Sequence, residues 1–136
     1  MALAAAGIDD SLAAYSGSTP ELAMINFGAN DVNSLPAENT WKTNYLYLVD
    51  AIHTKWEGIK IYLMYPWERD EDVDCATLKQ WINDILPTRE FLYAGADESV
   101  FLENGDDGAT YTADGTHPNG QGYDLTAQKW VEVTLP

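Results

Sequence analysis

At 136 residues and 46% hydrophobic content, the chain has the length of one domain and enough apolar residues for a core. Sixteen aromatic residues, five of them Trp, argue against a disordered or linker-like polymer. A formal charge of −15 argues against nucleic acid and anionic membrane as partners, because both select basic surface, and it disfavours anionic substrates.

The first expected element is a short helix over Ile8–Tyr15, with Asp9, Asp10 and Ser11 near its start, where acidic residues suit the helix dipole. Ser16-Gly17-Ser18-Thr19-Pro20 breaks it. Glu21–Phe27 is an apolar run of strand length that stops at Gly28. From Asn39 to Trp56 the residues Trp41, Tyr45, Leu48, Val49, Ile52 and Trp56 recur at spacings of three and four, the mark of a one-faced helix. Ile59–Tyr65 predicts a second strand, stopped by Pro66, and an acidic loop follows over Glu68–Asp74. A helix over Ala76–Leu86, a short strand over Glu90–Tyr93, a Gly/Asp/Asn-rich loop over Asn104–Gly122 and a last helix over Leu125–Val133 complete the order. Alternating strands and helices predict a parallel sheet covered by helices, an α/β sandwich in one domain spanning 1–136. Sites in such sheets gather at the carboxyl ends of the strands, which here are the loops after Phe27 and Tyr65.

Cys75 is the one cysteine, so no internal disulfide can form, and no Cys/His cluster suggests structural zinc. No run approaches the roughly 20 apolar residues of a membrane helix. The opening Met-Ala-Leu-Ala-Ala-Ala has no basic region of a signal peptide. The acidic run Glu68–Asp74 and the pair Asp106-Asp107 lack the ligand spacing of a calcium loop and read as solvated loops. Trp67, at the end of the second strand, reads equally as a pocket wall or a core aromatic.

The choice of general base is short, because the chain has two histidines. His53 lies inside the amphipathic helix, flanked by Ile52 and Trp56, and reads as a helix-surface or core-edge residue. His117 stands in Asp114-Gly115-Thr116-His117-Pro118-Asn119-Gly120, a loop just before the last helix. One turn can bring the Asp114 carboxylate to one imidazole nitrogen and leave the other for proton transfer, although a helix-capping loop explains the same residues. Gly28-Ala29-Asn30-Asp31 follows the first strand directly. Gly permits close backbone approach and Asn offers an uncharged amide donor, the properties of an oxyanion hole; a strand-ending turn uses the same residues.

Taken together, Asn-Phe-Gly-Ala-Asn-Asp early and Asp-Gly-Thr-His-Pro-Asn-Gly-Gln-Gly-Tyr late resemble the third and fifth blocks of the SGNH (GDSL-type) esterase and acylhydrolase family. The resemblance runs from about Ile8 to Trp130 and implies a flavodoxin-like α/β/α sandwich and carboxylic ester hydrolysis without a cofactor or metal. It implies that Asn30 donates to the oxyanion, Gly28 shapes that loop, His117 is the base and Asp114 its partner. The family's nucleophilic serine stands in a Gly-Asp-Ser-Leu-like block on a strand well upstream of the Gly-x-Asn-Asp block. Only 27 residues precede Gly28, so the chain reads as a member without that N-terminal block. Asp9-Asp10-Ser11-Leu12 imitates the block and makes Ser11 the candidate nucleophile, with a plain helix start as the competing reading and Ser16, Ser18 and Ser34 as further candidates.

The expected function is hydrolysis of a small ester with a short acyl or acetyl group. Its rivals are an inactive remnant or binding module, and an enzyme completed when a bare sheet edge pairs with a second copy as a homo-oligomer.

Overall fold

Lys60–Tyr65 becomes the central strand because its residues are apolar on both sides of the pleat, as a strand covered on two faces requires. The computed structural model describes residues 2–32, 34–66, 75–98, 111–114 and 117–135, the first five of these as backbone alone. Trp67, the acidic run 68–74 and the pair Asp106-Asp107 lie outside the described residues. In chain order the elements are α1 (Ala2–Ala14), β1 (Leu22–Ile25), α2 (Glu38–Lys55), β2 (Lys60–Tyr65), α3 (Cys75–Ile85) with a 3-10 turn at Leu86–Thr88, β3 (Leu92–Asp97) and α4 (Gly120–Thr134).

The three strands are parallel in the order β1-β2-β3. Leu22 pairs with Lys60 and Ile25 with Leu63; Ile61 pairs with Leu92, and an irregularity between Leu63 and Tyr65 shifts the register before Tyr65 meets Asp97. The pleat sends Ile61, Leu63, Ile25 and Leu92 to one face, under α2 and α3. There they meet Trp41, Tyr45, Val49, Leu78 and Ile82, and burying each such side chain stabilises the fold by roughly 1.5–3 kcal/mol. Helix α1 packs at the margin of this layer through Ile8 and Leu12. The alternate residues Tyr62, Met64 and Ala96 face the other way, toward Trp130 of α4. Helices on both faces of a parallel sheet make a three-layer α/β/α sandwich, the covered sheet that the alternation predicts and the flavodoxin-like form that the family resemblance implies.

Two contacts set the direction of α4. A Cβ on Gly95 would stand 2.8 Å from the Trp130 ring and 2.9 Å from the Leu63 backbone, so this glycine is the notch that lets the indole rest on the sheet. Thr126, one turn earlier on α4, adjoins Glu98 just past the end of β3. Helix α4 therefore runs antiparallel to the strands, and the segment leading into it lies beyond their carboxyl ends.

Three boundaries differ from the sequence expectation. Helix α1 begins at Ala2, which puts Asp9, Asp10 and Ser11 in its body and not in its first turn. Strand β3 runs on through Ala94, Gly95 and Ala96, residues of weak strand propensity, and at Gly95 a larger residue would lift Trp130. Helix α4 starts at Gly120 and not near Leu125, because a side-chain cap outweighs the helix-breaking glycines at 120 and 122. Among the described residues no helix is long and apolar enough to cross a membrane.

Candidate active site

The segment before α4 closes on itself as a small clasp. Thr112 and Pro118 form an antiparallel bridge, with Ala113 N donating to His117 O at 2.9 Å and Asn119 N to Tyr111 O at 2.9 Å. Asn119 fastens the clasp to the helix. Its Oδ1 accepts from the backbone of Gln121 (2.9 Å) and Gly122 (3.1 Å), and its Nδ2 donates to Thr112 O at 3.1 Å. A cap of this type supplies partners for helix-start N–H groups that otherwise have none. Gly122 is the only residue that fits beneath it, since a Cβ there would stand 2.3 Å from Tyr111 O.

Inside the clasp Asp114 acts with both oxygens. Oδ1 accepts the His117 backbone N–H at 2.7 Å, and Oδ2 lies 2.8 Å from His117 Nδ1. The first bond fixes the turn and the second fixes the ring, with Nδ1 as the protonated nitrogen facing the carboxylate. That leaves Nε2 as the nitrogen able to take a proton. Both side chains are largely exposed, at 75% for His117 and 55% for Asp114, so a substrate reaches them from solvent.

The loop after β1 shares this end of the sheet. Gly28 adopts φ +120°, a conformation open to glycine and costly for other residues, and accepts from Asp31 N at 2.8 Å to close the turn. Its Cα faces Pro66 and Leu78, so the loop after β1 adjoins the end of β2 and α3. Asn30 sits exposed at the tip of the turn. Asp31 accepts from Trp41 Nε1 at 3.1 Å and ties the loop to α2. The buried Tyr45 hydroxyl feels the same carboxylate: burial first, and Asp31 second, push its pKa up.

Beyond β2 and β3 lies a polar row. Lys79 pairs with Asp97 at 2.5 Å, Tyr65 donates to Asn83 at 2.6 Å, and Glu98 N donates to Tyr65 O at 3.3 Å. The Glu98 side chain is buried, and among the described residues its Oε1 makes no hydrogen bond; Thr126 adjoins the carboxyl, but its Oγ1 is likewise without full hydrogen-bond geometry there. Burial pushes Glu98 up to about 7.

The candidate nucleophile Ser11 lies elsewhere. It is exposed on α1, between Asp9, which bonds Tyr47, and Leu12, whose carbonyl takes Lys55 Nζ near the end of α2. Tyr15 then meets Trp56 edge-on at 5.1 Å, just before β2 begins. Ser11, Ser16 and Ser18 are thus on the amino-end side of the sheet, whereas His117 is beyond the carboxyl ends. Ser34 follows the Asn30 turn on the carboxyl side, exposed. The structure brings Asp114 to His117, orders the Gly28–Asp31 turn on the same end of the sheet, and does not bring Ser11 to them.

Two clefts among the described residues lie away from this site. One of about 470 Å³ lies between α1 and α2, lined by Leu12, Tyr47 and Ala51, and one of about 320 Å³ lies at the amino ends of β2 and β3. His53 belongs to the latter, stacked on Phe91 at 3.8 Å between centroids, a half-buried core-edge residue. Among the described residues no group of three His, Cys, Asp or Glu side chains could hold a metal ion. Cys75 is buried, its thiol 3.5 Å from Pro66 O.

Sequence reasoning missed three residues. Asn119 carried a signal, an Asn at the head of a helix, that the glycines around it hid. Asp31 and Glu98 carried none, since their importance comes from Trp41 and α4, which only the fold brings near.

No curated protein and no solved structure matches the chain. The model of the GDSL-like lipase/acylhydrolase family matches residues 3–125, which include the Gly28–Asp31 turn and the clasp. With a parallel α/β/α sandwich that carries both motifs beyond its carboxyl ends, the chain belongs to that family of hydrolases.

Proposed function

We propose that this hydrolase cleaves carboxylic esters with a short acyl or acetyl group by nucleophilic attack, with His117 as the general base. The observation that supports this most directly is the double bond of Asp114 to His117, at 2.7 Å to the backbone and 2.8 Å to Nδ1. It leaves one tautomer, with Nε2 ready to accept.

A serine hydroxyl gives its proton to His117 Nε2 while Oγ bonds to the ester carbonyl carbon. The carbonyl electrons move to oxygen, and the Asn30 amide donates to that oxyanion, with the Gly28 turn shaping the backbone around it. Collapse breaks the bond to the alcohol, which leaves with the proton from His117. Water then repeats the sequence on the acyl-serine and releases the acid. Asp114 stabilises the imidazolium in both halves. No cofactor enters this scheme.

His117→Ala tests the reading. Hydrolysis of a chromogenic acetyl ester should fall by at least about 10²-fold, with the circular dichroism spectrum unchanged. Activity that survives the substitution overturns the assignment. Labelling with a serine-reactive phosphonate, followed by peptide mapping, identifies the nucleophile among Ser11, Ser16, Ser18 and Ser34. A second reading is favoured by the position of Ser11 on the far side of the sheet: a binding module of the same fold, which would take no label at any serine.

A further inference from the structure

Asn30 is held from both sides while standing exposed itself. Before it, Gly28 at φ +120° closes the turn by accepting from Asp31 N at 2.8 Å. After it, Val32 is fully buried in the α2/α3 layer, and Asp31 O takes Ser34 N at 3.1 Å. Next to Asn30 in the chain, the Asp31 carboxylate accepts from Trp41 Nε1 at 3.1 Å.

The donor in that last bond is fixed by packing. Trp41 is wholly buried on α2, its ring 4.7 Å from that of Tyr45 and 5.6 Å from that of Trp81 on α3, between centroids. A phenylalanine would supply apolar surface there as well. What the indole adds is an N–H, which in a core needs an acceptor. It finds a carboxylate, and a hydrogen bond to an ionised acceptor is roughly twice as strong as a neutral one. The same carboxylate acts on the buried Tyr45 hydroxyl, which has no hydrogen-bond partner among the described residues. Of these two groups Trp41 Nε1 is the one bonded to Asp31.

We propose that Trp41 is a positioning residue for ester hydrolysis, holding the Asn30 amide in place through Asp31. The proposal rests on the function given above, in which Asn30 donates to the oxyanion. Such a donor is effective when it is already in place as the charge develops, with no reorganisation left to make. Misplacing a group by about 1 Å can cost on the order of 10²-fold. Gly28 gives the turn its bend. Its rigidity comes from the aromatic stack of α2 and α3, passed on through one carboxylate.

Asn30→Ala should lower kcat for a chromogenic acetyl ester by about 10²–10³-fold. Trp41→Phe and Asp31→Ala should each lower it at least about tenfold with KM little changed, because the amide is present but no longer held. Asp31→Asn keeps an acceptor for the indole N–H and should recover most of the rate. The double variant Asp31→Ala/Trp41→Phe should be no worse than either single one, since both remove the same bond. In an Asn30→Ala background, Trp41→Phe should cost nothing further in kcat, whatever it does to the melting temperature. Tyr45→Phe alters the same stack but spares the bond, and should leave kcat unchanged.

Hydrogen exchange reads the same device without substrate. The Asp31 and Ser34 amides, which close the turn, should exchange at least about tenfold faster in Trp41→Phe and not in Tyr45→Phe. Unchanged exchange overturns the proposal, as do additive losses in the double variant or an equal loss of kcat in Tyr45→Phe. Full activity in Trp41→Phe and Asp31→Ala beside a crippled Asn30→Ala removes the positioning role and leaves the ester-hydrolase reading standing. Undiminished turnover in Asn30→Ala sinks both. Activity in His117→Ala sinks the proposed base and leaves the Trp41 result standing.

Discussion

Asp114 holds His117 at two points, the backbone N–H at 2.7 Å and ring Nδ1 at 2.8 Å, so one carboxylate determines both where the imidazole sits and which nitrogen is free. Asp114→Asn keeps an oxygen for the backbone bond but turns an amide toward Nδ1. Under the proposed mechanism the ring is then driven to the wrong tautomer. Turnover of an acetyl ester should fall by roughly 10²–10⁴-fold with little change in KM, read by steady-state kinetics beside an unchanged thermal melt.

Asn119 accepts two helix-start N–H groups and donates to Thr112 O. Asn119→Ala removes all three bonds at once. The expected loss is about 1–2 kcal/mol in urea denaturation, and ester hydrolysis should fall as well because the clasp loses its anchor. Asn119→Asp, which keeps the cap but not the Thr112 bond, should recover most of the stability.

Gly122 has a carbonyl 2.3 Å from where a Cβ would be. Gly122→Ala should therefore destabilise by roughly 1–3 kcal/mol, despite the better helix propensity of alanine. A melting temperature equal to or above that of the wild type would contradict the packing described.

Glu98 gives a pH dependence with a definite sign. Its carboxyl is pushed up to about 7 by burial, above the ordinary 4.5, so the folded chain holds a proton that the unfolded chain has released. Stability from this residue is full below the ordinary value and is lost as pH rises toward 7. Glu98→Gln should flatten that slope and, at pH 8, stabilise by roughly 1–3 kcal/mol, measured as urea midpoints across pH 4–9.

Much of the fold was legible because its signals are local. The Trp41–Ile52 spacing predicts α2 to within a residue or two, and the apolar run Ile59–Tyr65 reads as a strand that the structure gives as Lys60–Tyr65. The sequence predicts an end to the strand at Tyr93 because Ala94-Gly95-Ala96 has weak strand propensity, and the reason for Gly95 is the fit of Trp130, a residue far along the chain. In the site, Asp114 and His117 were legible for the same reason of closeness, three residues in one turn. Asp31 against Trp41 and Glu98 against α4 were not, since neither has a local pattern. Ser11 shows the converse: a tetrapeptide that imitates a nucleophile block is placed by the helix that contains it, on the side of the sheet away from His117.

The Trp130–Gly95 notch reaches further than packing. Through it α4 rests on the sheet, and through Asn119 the same helix carries the histidine clasp. The α2/α3 layer does not depend on that contact, since its apolar residues form a separate cluster. Mild warming or low denaturant can thus detach the last helix while the larger layer persists. Such a partly opened chain would keep most of its ellipticity yet lose the ordered clasp around His117, so under the proposed mechanism heat would silence this protein before it unfolds it.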